Sequence, residues 1–405
     1  MKRSSSLPRY LILLIDLLIV AVLIYLAPGF VDALSLWLQP RPTSSGENTV
    51  VARVVAILEE GTVAEMGAVR PYQILQVEPL SEPWSGQHFI LDYGRTALSA
   101  PGVSLAVGDR VLVGLTQTAD GRWQAYFVDF VRTRALIWLL GLFVLASILL
   151  SGWKGVRSMA SMLFSFAVIV FFILPQILAG ANPVAVSTAG AFVILAVTLY
   201  VVYGWTLKTH AAVLGVLLAL GLTGGLAYLF IRLTHLTGFG SEEAMFLSQQ
   251  AMGTVDLRGL VLSGILIGAL GVLDDLVITQ ASAVFELHLA NPSLPFGRLY
   301  RQSMRIGQDH VAATVNTLVL AYTGAALPLL LLVTQAGESF GTFINREFVT
   351  EEIVRTLVGS LGLIAAVPIT TGLACLIALQ HGRLGRLRPL LGPLTLGDGH
   401  GHHHH

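Results

Sequence analysis

Long apolar segments constrain the fold of this chain more than any other feature. Of its 405 residues, 54% are hydrophobic and only 12% are charged, whereas a typical soluble domain carries about 25% charged residues. About eight segments are apolar over enough residues to cross roughly 30 Å of hydrocarbon, at 10–27, 134–151, 157–180, 185–203, 210–231, 258–286, 311–335 and 353–380. The sequence therefore predicts a polytopic α-helical membrane protein with about eight transmembrane helices.

Basic residues near the ends of these segments predict the orientation. Lysine and arginine are enriched in cytoplasmic loops, so Lys2, Arg3 and Arg9 place the N-terminus in the cytoplasm. Alternating from there, the later basic loop clusters also fall inside, namely Lys154, Arg157, Lys208, Arg298, Arg301, Arg305, Arg383, Arg386 and Arg388. Both termini are therefore expected in the cytoplasm. A cleaved signal peptide is the alternative for 10–27; a retained anchor is favoured because the apolar run is long and no small-residue cleavage site follows it directly.

Residues 28–133 differ from the rest in their alternating pattern. A proline-containing linker precedes runs of β-forming residues at 49–58, 72–77, 87–91, 110–115 and 123–130. Asp120-Gly121 provides a hairpin turn before the last run. We expect a small extracytoplasmic β-barrel or sandwich domain, with an OB-like barrel as one form, between helices 1 and 2. Its surface is a candidate site for an extracytoplasmic protein partner, and no residue cluster in it forms a catalytic constellation.

These boundaries divide the chain into an N-terminal anchor helix at 1–27, the β-domain with its linker at 28–133, a seven-helix transmembrane bundle at 134–388 and a tail at 389–405. The tail ends in four histidines that are typical of a purification tag, with a native metal-binding tail as the alternative. The zero net charge argues against a nucleic-acid binder. A single cysteine, Cys375, excludes a disulfide framework and a cysteine metal site, and the lack of a P-loop argues against an ATP-driven pump.

Two adjacent carboxylates, Asp274 and Asp275, interrupt the apolar segment 258–286. An ionisable group near the bilayer centre costs roughly 2.5–3.5 kcal/mol on insertion scales, so the pair predicts an ion, proton or substrate site. On a helix, Asp275, Thr279, Ser282 and Glu286 share one face at spacings of 4, 3 and 4, and Asp274 lies one step round. Gln280 points largely the other way, so we expect it to contact another helix.

A structural alternative is that the helix breaks near Gly271 and an aspartate caps the second half. Gly259, Gly264, Gly268 and Gly271 are expected to permit close approach of other helices. Glu286 has an alternative role as an interfacial residue.

The next apolar segment carries a second polar arc. Asp309, Asn316 and Thr323 are spaced by 7, and His310 and Thr317 repeat that spacing beside them. The two arcs are expected to meet around an aqueous or ion-filled cavity, with Asn316 and Thr317 near the level of the aspartates. Two alternatives stay open: interhelical hydrogen bonds for Asn316 and Thr317, and solvation at the cytoplasmic interface for Asp309 and His310.

The chemistry of these side chains limits the ligand. An oxygen-rich set suits a hard cation such as Na⁺, Mg²⁺, Ca²⁺ or Mn²⁺, with Asp274 and Asp275 as the metal-ligand candidates. Alternatively, two neighbouring carboxylates share one proton. Without nitrogen or sulfur ligands at depth, zinc and copper are less natural.

Two strings carry a resemblance to a known family: Gly268-Ala-Leu-Gly-Val-Leu-Asp-Asp-Leu-Val-Ile-Thr-Gln-Ala-Ser-Ala-Val-Phe-Glu-Leu287 and Gly307-Gln-Asp-His-Val-Ala-Ala-Thr-Val-Asn-Thr-Leu-Val-Leu-Ala-Tyr-Thr-Gly324. They resemble the signature of the YibE/F-like family of bacterial integral membrane proteins. The resemblance covers roughly 134–380 and extends to the anchor and β-domain arrangement. It implies a transporter or permease of a bacterial cytoplasmic (inner) membrane and carries over no substrate. The matching positions are Asp274, Asp275, Thr279, Gln280, Ser282, Glu286, Asp309, His310, Asn316 and Thr317.

Three functions follow from these observations. The first is a non-enzymatic transporter or permease for a cation or an ion- or proton-coupled small solute. The second is a scaffold that does not transport and whose β-domain docks a partner. The third, a membrane-embedded hydrolase, is disfavoured because adjacent helix positions diverge by about 100° and cannot face each other across a substrate. The substrate, the direction of transport and the oligomeric state stay open.

Overall fold

The computed structural model describes residues 48–65, 68–95, 104–118, 121–250, 253–337, 339–381 and 391–395. The predicted first span, its linker and the histidine tail lie outside these residues. The chain divides into two compact units, one ending at Leu150 and the other beginning at Ser151.

The first unit contains a closed five-stranded β-barrel. Its strands lie in the order β1-β2-β3-β5-β4, with β3 parallel to β5 and the other neighbours antiparallel. The strands are β1 Asn48–Glu65, β2 Ala68–Pro79, β3 Phe89–Tyr93, β4 Arg110–Gln117 and β5 Trp123–Phe130. This confirms the predicted small barrel, and the strand order is compatible with the OB-like form of it.

Alternating side chains explain why these strands close on one core. In β4, Val111, Val113 and Leu115 are all buried, and Val111 and Val113 pair with Ala52 and Val50 of β1. Register shifts in β1 let its first half pair with β4 and its remainder with β2, since bulges bend a strand. Only the β1–β2 hairpin extends beyond the closed part, since β4 pairs with Asn48–Arg53 of β1 and β3 with Gln73–Val77 of β2.

The hairpin between β4 and β5 forms where the sequence predicts it. The Gly121 N–H donates to the Thr118 carbonyl (2.8 Å), and the Thr118 N–H donates to the Arg122 carbonyl (2.8 Å). Gly121 has a φ of 78°, which a glycine adopts without strain. A Cβ at Gly114 would overlap the Tyr126 ring, so β4 also requires glycine where it crosses β5.

Helix α1, Thr133–Val168, changes direction at Gly152, whose φ of 55° and ψ of −136° are not helical. The predicted spans 134–151 and 157–180 therefore lie on either side of this residue. A π-helical turn, Ile169–Ile173, and the short α2, Leu174–Leu178, complete the second of them.

The remaining helices follow in chain order: α3 Pro183–Tyr203, α4 Leu207–Leu233, α5 Glu242–Gln250, α6 Leu257–Ala290, α7 Phe296–Ala325, α8 Leu327–Ala336, α9 Phe340–Ile344 and α10 Glu347–Gln380. Six helical segments among the described residues are long and apolar enough to cross a membrane, namely Thr133–Trp153, Gly155–Leu178, Pro183–Tyr203, Leu207–Leu233, Leu257–Ala290 and Glu347–Gln380.

The predicted span 311–335 is not among these six. It falls on two helices, because α7 begins at Phe296 and ends at Ala325, and α8 begins at Leu327 with Pro328 in its first turn. A proline cannot continue the hydrogen-bond ladder of the preceding helix. Helix α7 is instead amphipathic, since its first half carries Arg298, Arg301 and Arg305 on exposed positions.

Helices α4, α6 and α10 contact one another at the centre of the second unit. Small residues set how closely they approach: a Cβ at Gly215 of α4 would meet Thr370 of α10 and Val277 of α6. Of the predicted close-contact glycines, Gly259 lies near Pro183 and Gly268 near the Tyr322 hydroxyl, whereas nothing lies within 4 Å of a Cβ built at Gly264 or Gly271. Gly264 and Gly271 lie on an exposed face of α6, so for these two the predicted close approach is not seen among the described helices.

At one end of this unit, Glu347 links the loop after α4 to the start of α10 through hydrogen bonds. Its carboxylate accepts hydrogen bonds from the Thr237 N–H (2.6 Å), the Thr237 hydroxyl (2.8 Å) and the Gly238 N–H (2.8 Å). Because the acceptor is ionised, these bonds are stronger than neutral ones.

Candidate functional site

Helix α6 runs without a break through the aspartate pair. Its N-cap is Asp256, whose side chain accepts a hydrogen bond from the Gly259 N–H (3.1 Å), and the helix continues to Ala290. The alternative in which Asp274 or Asp275 caps a second half-helix is therefore wrong. The glycines before the pair do not stop the helix, since packing on α4 and α10 stabilises it on its other side.

The two aspartates occupy different surroundings. Asp274 is half-buried, and its Oδ1 atom is shielded from solvent with no hydrogen-bond partner among the described residues. Asp275 is exposed, because the next position on a helix points about 100° away. Tyr203, the half-buried last residue of α3, lies close enough to interact electrostatically with both carboxylates. The pair thus connects the interior of the bundle with its surface.

The exposed face of α6 is unlike a lipid-facing surface. No large hydrophobic side chain of α6 is exposed. Between its first and last turns, the exposed residues are Gly264, Gly268, Gly271, Asp275, Thr279 and Glu286, which we call the polar stripe. By contrast, α4 exposes Leu218 (55%) and α10 exposes Leu361 (44%), as helices against hydrocarbon do. Of the four residues predicted to share one face, Asp275, Thr279 and Glu286 lie on this exposed face, whereas Ser282 is half-buried.

Gln280 holds three helices together on the opposite side of α6. Its side chain is 3% exposed, and its Nε2 donates to the Ser303 carbonyl on α7 (3.0 Å) and to the Thr371 hydroxyl on α10 (2.6 Å). A Cβ at Gly307 of α7 would overlap the Gln280 amide, so glycine permits this contact. The expectation that Gln280 contacts another helix is confirmed, and its amide is separated from the polar stripe.

The other candidate residues of α6 and α7 use their polar groups locally. The Ser282 hydroxyl donates to the Ile278 carbonyl (2.8 Å), and the Thr317 hydroxyl donates to the Ala313 carbonyl (2.9 Å). Asn316, Thr317 and Asp309 are exposed, and His310 is half-buried. Among the described residues, none of these side chains forms a hydrogen bond with Asp274 or Asp275.

The polar arcs of α6 and α7 do not face each other. The two helices run antiparallel, because Gly307 lies at Gln280 while Tyr322 lies at Gly268. Gly307 and Tyr322 therefore mark the face of α7 that meets α6, and between these levels Leu318 and Val272 both line a small cavity of about 10 Å³. Asp309 and Asn316 lie about 180–200° round α7 from Gly307, so the expected meeting of the two arcs around one cavity is not seen in the described parts of these helices.

Metal binding at the pair would need additional oxygen ligands. Among the described residues, no three or more His, Cys, Asp and Glu side chains are grouped closely enough to hold a metal ion. Asp274 and Asp275 supply two carboxylates, and a hard cation takes six or more oxygens. Water, backbone or solute oxygens would have to supply the rest, whereas a proton needs no further ligand.

Sequence reasoning missed Tyr203 and the contact partners of Gln280. Tyr203 ends its helix just before Gly204, and nothing in the local pattern points to α6. Gln280 bonds the backbone carbonyl of Ser303, which no side-chain pattern reveals, and the Thr371 hydroxyl, whose distance in sequence from Gln280 hides the pairing.

Comparison with known proteins gives one match. The model of the YibE/F-like protein family matches residues 139–380, which include α3, α4, α6, α7 and the whole of α10. No curated protein and no solved structure matches the chain. The match spans more than half of the sequence and contains both the aspartate pair and the polar stripe. The chain belongs to the YibE/F-like protein family.

Proposed function

We propose that this protein is a membrane transporter or permease for a cation or an ion- or proton-coupled small solute. The observation that supports it is the polar stripe, a helix face with two carboxylates and no exposed large apolar side chain. In the proposed topology, the chain crosses the bacterial inner membrane about eight times, with 10–27 and 311–335 included. Both termini are cytoplasmic and the β-barrel is outside.

The polar stripe is better suited to water than to lipid. A carboxylate exposed to hydrocarbon costs several kcal/mol, and Asp275 and Glu286 both lie on the exposed face of an otherwise apolar helix. The glycines of the stripe leave room beside the helix backbone, since nothing lies within 4 Å of a Cβ at Gly264 or Gly271. We infer that the stripe lines an aqueous path through the membrane.

Asp274 provides the binding step. A buried charge without a partner is strongly unfavourable, and Asp274 Oδ1 has no partner among the described side chains and backbone groups. A proton or a cation that binds there removes this penalty. Asp275, exposed on the stripe, receives the ion from water and passes it to Asp274. The Tyr203 side chain lies close enough to interact electrostatically with both carboxylates.

A scaffold function is the second candidate, supported by the barrel surface. Ile90 (65% exposed) and Val107 (61% exposed) are large apolar residues on its outside, which a docked partner would remove from water. A partner that binds the full-length protein equally well with and without the aspartates would favour this function.

The experiment is ion flux through proteoliposomes that contain the full-length protein. Entrapped dyes report H⁺, Na⁺, K⁺, Mg²⁺, Ca²⁺ and Mn²⁺ under an imposed gradient. We expect Asp274→Asn and Asp275→Asn each to reduce the flux of one of these ions at least about tenfold, which corresponds to about 1.4 kcal/mol. Glu243→Gln, on the short helix α5, is the matched control and should keep the flux. Wild-type flux in both aspartate variants, with folding intact, would refute the proposal.

A further inference from the structure

A cavity with charged lining residues lies away from the aspartate pair, at the end of the bundle where α3 and α6 begin and α4 ends. It has a volume of about 790 Å³, within the range of about 300–1,000 Å³ that small-molecule sites occupy. Its charged or titratable lining residues are Arg232, His235, Asp256 and Arg258. No part of the proposed ion path uses these residues.

The charge balance of this cavity is positive. Arg232 and Arg258 have no carboxylate within ion-pair distance among the described residues. The only carboxylate in the lining, Asp256, is engaged as the cap of α6 through the Gly259 N–H. The Arg232 guanidinium lies over the Tyr228 ring, 4.7 Å from its centroid. This contact with the ring face uses none of the guanidinium N–H donors, and Arg232 is exposed, so its donors can reach an anion.

Arg258 lies at a position where its positive charge lowers the stability of its own helix. It lies in the first turn of α6, where the helix dipole favours negative rather than positive side chains by about 0.3–1 kcal/mol. The first turn of α3, capped by Asn182, borders the same cavity and adds to the positive potential. An anion bound between the N-termini of α3 and α6 and the Arg258 side chain would interact favourably with both helix dipoles and with the guanidinium.

His235 also lies at a position where its backbone conformation lowers local stability. It has a φ of 55°, and the Leu236 N–H donates to the Ile231 carbonyl (3.0 Å). This is the helix end at which glycine is the usual residue, because a side chain in this conformation costs roughly 1–2 kcal/mol. His235 lines the cavity, so a residue less stable than glycine at this helix end places an imidazole N–H donor where an anion could bind.

We propose that this cavity binds a phosphate group through Arg232, Arg258 and His235. Guanidinium groups match phosphate oxygens with paired N–H donors, and the net positive lining suits an anion. The phosphate belongs either to a lipid headgroup at the membrane surface or to a soluble phosphate-bearing molecule. The proposal is independent of the transport function.

The experiment measures the unfolding temperature of the full-length protein in dodecyl maltoside. One arm titrates sodium phosphate against sodium chloride of equal ionic strength, and the other titrates phosphatidylglycerol against diacylglycerol, which lacks the phosphate, in mixed micelles. Only ligands of the native state raise this temperature. Stabilisation by phosphatidylglycerol alone identifies a lipid headgroup, and stabilisation by inorganic phosphate identifies a soluble ligand; either result supports the proposal.

The variants separate the cavity from general charge effects. R232Q/R258Q should weaken the apparent affinity at least about tenfold, while R301Q/R305Q, on the exposed start of α7, should keep it. H235G places glycine at a positive φ, so without ligand this variant should unfold at the same or a higher temperature than the wild type. It should nevertheless bind phosphate several-fold more weakly. The proposal is overturned if neither probe stabilises the wild type, or if H235G and R258Q both bind with wild-type affinity.

Discussion

Replacing Gln280 by alanine should destabilise the bundle without touching the polar stripe. The Gln280 amide donates to the Ser303 carbonyl at 3.0 Å and to the Thr371 hydroxyl at 2.6 Å. It therefore joins α6 to α7 and α10 from a position that is 3% exposed. The Gln280→Ala variant removes both bonds and leaves a void where Gly307 approaches the amide.

The magnitude follows from the two lost bonds and the void. Each buried hydrogen bond contributes about 1 kcal/mol net, and a buried acceptor left without a donor costs more. Together with the loss of packing, we expect about 3 kcal/mol. For a unit of this size, that free energy lowers the unfolding temperature by about 6–12 °C.

The assay is thermal unfolding of purified full-length variants in one detergent. Thr279→Ala is the matched control, because Thr279 is the preceding residue and is exposed, so its change should stay within about 0.5 kcal/mol. Gln280→Met keeps most of the side-chain volume and should lose about half as much stability as Gln280→Ala. If Gln280→Ala unfolds at the temperature of Thr279→Ala, the role of Gln280 as the link between the three helices is refuted.

Three further changes test other contacts. Glu347→Ala removes the acceptor of the Thr237 and Gly238 bonds, so hydrogen exchange of those two amides should accelerate at least about tenfold, while amides in the centre of α4 keep their rates. Gly307→Leu should destabilise by about 1–3 kcal/mol, because its side chain overlaps the Gln280 amide and Val367; equal unfolding temperatures would contradict the close approach of α7. Gly114→Ala should increase exchange of barrel amides in the full-length protein, since its Cβ overlaps the Tyr126 ring, and unchanged exchange would count against that contact.

The strands and most of the long helices could be predicted because their signals are local. Alternation in β4 and the Asp-Gly turn after it are enough to place the β4–β5 hairpin, and apolar runs place α3, α4, α6 and α10. The span at 311–335 could not be placed, because hydropathy identifies only the apolar half of α7. The helix itself continues through the polar residues from Arg298 to His310.

The candidate site was predicted only in part, for a related reason. Periodicity gives the face on which Asp275 and Thr279 lie, and it sends Gln280 to the other side. It does not tell whether glycines such as Gly264 and Gly271 serve packing or open space, since small residues suit either. Nor does it tell which face of α7 meets α6, because that depends on the approach of Gly307 to Gln280 and of Tyr322 to Gly268.

The central claim is that the polar stripe faces water within the membrane, and cysteine labelling tests it most directly. The native Cys375 is buried, so an introduced cysteine reports its own surroundings, and a thiol reacts as its thiolate, which requires water. We predict that Gly271→Cys and Thr279→Cys in proteoliposomes react with a charged, membrane-impermeant maleimide at least about tenfold faster than Leu218→Cys and Leu361→Cys. Equal rates at all four positions would contradict the account.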